Sequence, residues 1–225
     1  MLIKYMTTII NTNKINNILF FNPNIIKDNS YKKGHYDNLS FDSEGLDLEI
    51  FPSNDETEKK KVSAFKKFRD DLYKEIRTSK KFCHGIQSLY VKDSLKDCDA
   101  ILRVESSMTR SKKINGFATL KFYKSSKSIY IDVICTNSDI KGTGTYMINL
   151  LNKISKWLLL ENIKLSSSTQ AIPFYLKTDF ECNPLCKMVK TVSGGNKTRR
   201  NKSKSRNKTF SRNKTFSRNK TFRNH

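Results

Sequence analysis

Apolar and polar residues follow two rhythms along the middle of this chain. Leu46-Asp-Leu-Glu-Ile-Phe51 alternates apolar and acidic side chains, as a half-buried strand does, and Pro52 then removes a backbone donor and ends it. Asp55 stands three residues before Glu58, an N-cap with a capping-box partner. Val62, Phe65, Phe68, Leu72 and Ile76 follow at spacings of three and four, which predicts an amphipathic helix over 56–78. The Lys59–Lys61 and Lys66–Lys67 runs fall mainly on its wet face. Residues 79–98 keep neither period, and Ile86–Val91 fits a short strand or a short helix.

Three strand-like runs come next: Ala100–Glu105, Gly116–Tyr123 and Ser128–Cys135. Polar connections join them, so an antiparallel meander is the simplest arrangement. After Thr136–Thr145 the apolar residues Met147, Leu150, Leu151, Ile154, Trp157 and Leu158 line one face of a helix ending near Glu161. A short strand over 163–167, a short helix over 169–177 and a final irregular or strand-forming stretch from Phe180 complete the order. The expected fold class is α/β, with a mixed (α+β) sheet that starts mostly antiparallel.

The ends of the chain lack these rhythms. Residues 1–45 are rich in Asn, Lys and Asp with no sustained period, and read as a loosely structured arm with at most a short strand at Ile18–Phe21. From 193 onward Ser205-Arg-Asn-Lys-Thr-Phe210 recurs as Ser211–Phe216 and Ser217–Phe222, with no Leu, Ile or Val to bury, which predicts a disordered tail. Three parts are therefore expected: an arm over 1–45, a folded domain over 46–192 and a basic repetitive tail over 193–225.

Charge sharpens this division. The formal net charge is +22, and residues 196–225 hold six Lys and six Arg with no acid, so the tail carries 12 and the rest +10 (22 − 12). A basic body suits an anionic ligand, and the tail suits nucleic acid or another polyanion, with Phe210, Phe216 and Phe222 able to stack on unpaired bases. A solubilising or targeting role explains the tail equally well. No run of 18 apolar residues exists to span a membrane, and the N-terminal stretch is too short and polar for a secretory signal, so a cytoplasmic or nuclear protein is expected.

The five cysteines contain no C-x-x-C pair, and a reducing compartment fits them best. Neither the Cys182–Cys186 spacing nor His84 beside Cys83 matches a familiar metal site, so no metal is expected. His35, His84 and His225 adjoin no recognisable nucleophile motif, which disfavours hydrolase chemistry.

The remaining chemistry gathers after the third meander strand. Gly142-Thr-Gly144 stands where a strand gives way to a helix, so the backbone can approach a ligand closely and the first helical N–H groups suit a pyrophosphate. Lys141 adds a mobile positive charge.

Asp139 to Gly144 resembles the cofactor loop of the GNAT acetyltransferase superfamily, Arg or Gln, two residues, Gly, any residue, Gly or Ala, placed directly after the fourth strand. Ala171-Ile-Pro-Phe-Tyr-Leu-Lys-Thr-Asp-Phe180 resembles that family's helix, in which an Ala precedes an aromatic-Tyr pair and Gly-Phe ends the segment. The resemblance covers about 46–192 and implies a GNAT-like acyl-CoA N-acyltransferase fold. Its central sheet would splay between 128–135 and 163–167 to admit a pantetheine arm. It implies acetyl-CoA as cosubstrate, bound by backbone groups of Ile134 and Cys135 and by Lys141, Gly142, Thr143, Gly144, Thr145 and Ser168, and an amine acceptor, a small molecule or a protein. By the same resemblance Tyr175 is the general acid toward the departing thiolate. Asp132 and Glu105 are the nearest candidates for a general base. Three positions depart from the pattern: Asp139 for the basic or amide residue, Ser168 for a common Asn, and Asp179 for Gly. An acid beside a pyrophosphate repels it by on the order of a kcal/mol when exposed. The alternative reading is a nucleic-acid or polyanion binder whose GNAT-like domain has lost catalysis.

Overall fold

The computed structural model describes residues 8–9, 15–23, 48–51, 57–79, 81–83, 85–106, 113–123, 125–182 and 187–192. The chain divides into two units, Met1–Gly194 and Gly195–His225, and every element below belongs to the first. The whole tail, with its SRNKTF repeats, lies outside the described residues, as do Asp55 and His84.

In chain order the elements are β1 (Thr8–Ile9), β2 (Ile15–Phe21), β3 (Leu48–Phe51), α1 (Glu58–Thr78), α2 (Ser88–Asp97), β4 (Ala100–Ser106), β5 (Lys113–Tyr123) and β6 (Ser128–Thr136). They continue with β7 (Ile140–Lys141), α3 (Thr143–Trp157), β8 (Asn162–Ser166), α4 (Ile172–Lys177), β9 (Glu181–Cys182) and β10 (Lys187–Thr191). Among the described residues, eight strands form one mixed sheet in the order β3-β2-β4-β5-β6-β8-β10-β9, while β1 and β7 pair separately. The expected α/β class with a mixed sheet is the class observed. The meander over β4, β5 and β6 is antiparallel throughout.

Two cores sandwich this sheet. On one face α3 and the short α4 cover Leu19, Leu102, Ala118, Leu120, Ile129, Ile131 and Met188. On the other, α1 and α2 cover Phe20, Ile101, Phe117, Val133 and Cys135. Fully buried Met147, Leu151 and Ile154 fix the inner stripe of α3, each adding roughly 1.5–3 kcal/mol by leaving water. Phe65, Leu72 and Ile76 do the same for α1, whose Lys59 and Lys60 are exposed.

Several elements differ from the sequence expectation. Helix α1 begins at Glu58 with Thr57 in the cap position. The short strand read at Ile18–Phe21 spans Ile15–Phe21 and pairs antiparallel with β4 along its whole length, so a sheet strand lies inside the stretch read as an arm. Six of its seven residues are buried, and a strand covered on both faces shows no alternation. The ambiguous 79–98 stretch resolves into α2, anchored by Val91, Ser94 and Leu95 at helical spacing. Helix α4 starts at Ile172, later than 169, because Pro173 fits the first turn, where its missing N–H costs nothing.

Candidate active site

Strand β6 is the spine of the site. It pairs parallel with β8 only from Ser128↔Asn162 to Ile131↔Leu165; β8 ends at Ser166 while β6 runs on to Thr136. Beyond Ile131 the two strands part, in the place where the resemblance put the splay. Alternate N–H and C=O groups of 132–136 therefore point away from β5 into an opening.

At the point of parting β6 carries a bulge. Thr119 pairs with Val133 and Leu120 with Ile131, so Asp132 is the extra residue. The bulge switches the faces: Ile129 and Ile131 enter the core under α3, whereas Val133 and Cys135 enter the core under α1 and α2. Ile134 consequently turns toward the α3 side, where it lines a cleft of about 330 Å³ together with Thr136, Lys141, Gly142, Gly144, Phe174 and Tyr175.

The floor of the cleft is the start of α3. Gly142 caps the helix at φ +89°, a left-handed conformation that costs glycine nothing and strains other residues. The N–H groups of Thr143, Gly144 and Thr145 have no acceptors within the helix, and the positive dipole end adds about 0.3–1 kcal/mol for an anion. Thr143 is buried and its hydroxyl donates to the Ile140 carbonyl at 3.3 Å, so its side chain braces the turn from inside. Ile140 and Lys141 pair in parallel with Thr8 and Ile9, which steadies the turn from outside. A Cβ on Gly144 would stand 3.1 Å from Phe174 Cζ. Phe174 thus closes over the helix start only because position 144 is bare.

Tyr175 is 6% exposed, its ring packed edge-on against Phe174 and Phe180 at 5.0 and 5.4 Å. Burial pushes its phenol up to about 12, so the hydroxyl stays protonated at neutral pH. The turn after α4 places Asp179 at φ +63°, the conformation a Gly would take without strain. Lys190 steadies that turn: its Nζ donates to the Thr178 carbonyl at 2.6 Å and stands 3.6 Å from the Asp179 carboxylate.

The two acidic candidates lie on the opposite face of the sheet from Tyr175. Asp132 accepts from Tyr90 Oη at 2.8 Å and Ser94 Oγ at 2.6 Å, both on α2, with Lys121 at 4.0 Å. Burial, with the hydrogen bond to Asp132 next, pushes the Tyr90 phenol up to about 12. Glu105 is 2% exposed on β4, two strands from β6, and is held by Arg103 at 2.5 Å. Neither acid lines the cleft. Asp132 stands where the strands part; Glu105 is not brought to the site.

Among the remaining expected cofactor residues, Lys141, Gly142, Gly144 and Ile134 line the cleft. Thr145 and Ser168 are exposed and do not, and the Ser168 carbonyl instead accepts from Ala171 N at 3.0 Å to start α4. Cys135 faces the other core and is joined to Cys83 in a disulfide that spans 52 residues of chain; opposite Phe117, and in step with the Asn137 N–H bond to the Asn115 carbonyl, its backbone turns to β5, so Ile134 rather than Cys135 presents backbone groups to the opening. No spacing motif marks this pair in the sequence, and the bridge stands apart from the reducing compartment that the cysteine spacings suggest. Gly116 is a site residue that the sequence reading passed over as a strand start. A Cβ there would meet Met147 Sδ at 2.7 Å and the Cys135 carbonyl at 2.9 Å, so its bareness lets α3 settle against β6.

Among the described residues there is no cluster of three metal-ligating side chains and no helix long and apolar enough to cross a membrane. No family model matches the sequence, and neither does any curated protein. Among solved structures the chain is similar to Tetrahymena GCN5, at 12% identity and a TM-score of 0.43 over 63% of this chain and 93% of that one. It is similar to Ard1 from Thermoplasma volcanium at 13% identity and 0.43, over 54% and 94%. A third similar structure is a protein from Desulfovibrio desulfuricans described as an acetyltransferase of the GNAT family, at 8% identity and 0.43, over 56% and 94%.

Proposed function

We propose that this chain is a GNAT-type N-acetyltransferase that moves an acetyl group from acetyl-CoA to an amine. The observation that carries the reading is the parting of β6 from β8 beside a helix that starts on Gly142, with Tyr175 lining the same cleft. A strand edge, a set of unpaired helical N–H groups and a protonated phenol converge there, and these are the three contacts a pantetheine diphosphate thioester needs.

The thioester supplies an acyl carbon open to attack and a thiolate leaving group. The amides of 143–145 and the Lys141 ammonium hold the diphosphate. Backbone groups of Ile134, freed by the parting of the strands, orient the pantetheine and hydrogen-bond the carbonyl oxygen as negative charge gathers on it. Tyr175 gives its proton to the departing sulfur as the C–S bond breaks. The amine must arrive neutral, and in this reading Asp132, at the point where the strands part, accepts its proton from the far side of the opening.

The acceptor belongs on that far side. A groove of about 550 Å³ lined by Tyr123, Tyr130, Lys164 and Ser166 runs along the sheet face to the point where β8 ends. Titration of the full chain with coenzyme A, followed by thiol release from acetyl-CoA across a panel of polyamines, lysine peptides and free peptide N-termini, tests the reading. Micromolar binding with release stimulated by one amine class supports it; absence of binding refutes it.

A further inference from the structure

The acid at the first position of the phosphate loop is an obstacle to the function proposed above, because a carboxylate there repels the diphosphate the loop is meant to hold. The structure answers it with a residue from a distant segment. Lys81, in the connection between α1 and α2, makes an ion pair with Asp139, both side chains about half exposed. A second contact joins the same segments: Ser138 N donates to the Lys81 carbonyl at 3.0 Å. The third is covalent, the Cys83–Cys135 disulfide. Three links of different kinds thus tie 81–83 to 135–139, the stretch that leaves the cleft's spine and enters the glycine turn.

The connection is held in a demanding shape. Cys83 stands at φ +53°, a left-handed conformation unfavourable for a side-chain-bearing residue, and Gly85 follows at +81°. Such a conformation persists where its surroundings impose it, and here the bridge to Cys135 does so. Cys135 is 3% exposed while Cys83 is half-buried, so a reductant reaches the bridge at the Cys83 sulfur.

We propose that Lys81 is a positioning residue of the phosphate loop: it neutralises Asp139 so that the loop accepts a coenzyme A diphosphate, and the Cys83–Cys135 bridge keeps it there, making cofactor affinity dependent on the oxidation state of this pair. The inference rests on the reading of the cleft as a coenzyme A site. The redox step is thiol–disulfide exchange. A dithiol thiolate attacks Cys83 Sγ and Cys135 leaves as thiolate. The second reagent thiolate then displaces Cys83, two electrons and two protons pass to the protein, and the reagent closes to its own disulfide. A small-molecule disulfide reverses it. Once reduced, 81–83 is free to relax, and Asp139 faces the diphosphate uncompensated.

The test is calorimetric titration of coenzyme A into the full chain at fixed ionic strength, oxidised and reduced, with the state of the two cysteines verified by alkylation and mass spectrometry. The expected result is binding by the oxidised protein, weakened about fivefold on reduction and about fivefold by Lys81→Ala with the bridge intact, as loss of one compensating charge at a half-exposed site implies. In an Asp139→Asn background both perturbations shrink to less than twofold, a rescue that a purely structural role for Lys81 does not give. Lys81→Ala keeps the bridge and so remains informative should cysteine variants fold poorly. Equal affinity in both oxidation states and in Lys81→Ala overturns the inference while leaving the coenzyme A site standing; no binding by the oxidised wild type overturns both.

Discussion

Replacing Tyr175 by Phe removes one hydroxyl and leaves the ring. The ring is what packs: it stacks edge-on to Phe174 and Phe180 and is 6% exposed, so the substitution keeps every apolar contact and changes stability by less than about 1 kcal/mol. If the hydroxyl is the proton donor to the leaving thiolate, its removal costs the contribution of one general acid, about 10²–10⁴-fold in kcat, or roughly 2.7–5.4 kcal/mol of barrier. Coenzyme A affinity should change less than threefold, because the hydroxyl is not among the groups proposed to hold the diphosphate. The phenol is raised by burial to about 12, above its ordinary value of 10. The protonated form is therefore the one the fold favours; its stabilisation is complete below pH 10 and is lost as pH rises through about 12. Turnover of the wild type should accordingly show no falling limb from this group through pH 10. The assay is continuous thiol release with kcat and KM separated, alongside urea unfolding of both proteins. A kcat within threefold of wild type in a folded variant removes Tyr175 from the mechanism.

Other outcomes follow from close approaches and charge. Gly144→Val places methyl groups against the Phe174 ring, already 3.1 Å from a bare Cβ, and should weaken coenzyme A binding at least tenfold by calorimetry. Gly116→Ala drives a methyl into Met147 and the Cys135 carbonyl and should cost about 1–3 kcal/mol in urea unfolding, with loss of binding in proportion to unfolding alone. The 12 positive charges of 196–225 should bind single-stranded nucleic acid with little sequence preference and a steep salt dependence; equal affinity at low and high salt in a filter-binding assay contradicts this.

The sequence made the centre of the fold legible where one face of an element is wet. Leu48–Phe51, α1 and α3 show their period because polar residues mark the outside, and the meander strands read as apolar runs between polar connections. β2 showed no period and only a short strand at Ile18–Phe21, since six residues of Ile15-Asn-Asn-Ile-Leu-Phe-Phe21 are buried and the buried Asn17 serves the interior, donating to Tyr146 Oη at 2.8 Å. Helix α2 is ten residues long and one of its three buried positions is Ser94, which bonds Thr119 and Asp132, so the apolar signal is thin. In β6 the run Ile129, Ile131, Val133, Cys135 reads as one face by spacing. The bulge at Asp132 divides it between two cores, and the extra apolar residue Ile134 is the only local trace of that switch. The glycine turn and Tyr175 were visible because their chemistry is local. The Cys83–Cys135 bridge and the Lys81–Asp139 pair were not, because segments more than 50 residues apart meet only once the sheet and its helices have formed.

The most direct test of the account is the structure of the full chain crystallised with coenzyme A. The account predicts the diphosphate on the backbone amides of 143–145 and the pantetheine laid along 132–136 where β6 leaves β8, with its sulfur within hydrogen-bond reach of Tyr175 Oη. A cleft closed by Phe174 and Ile134, with the cofactor absent at saturating concentration or bound elsewhere, contradicts it.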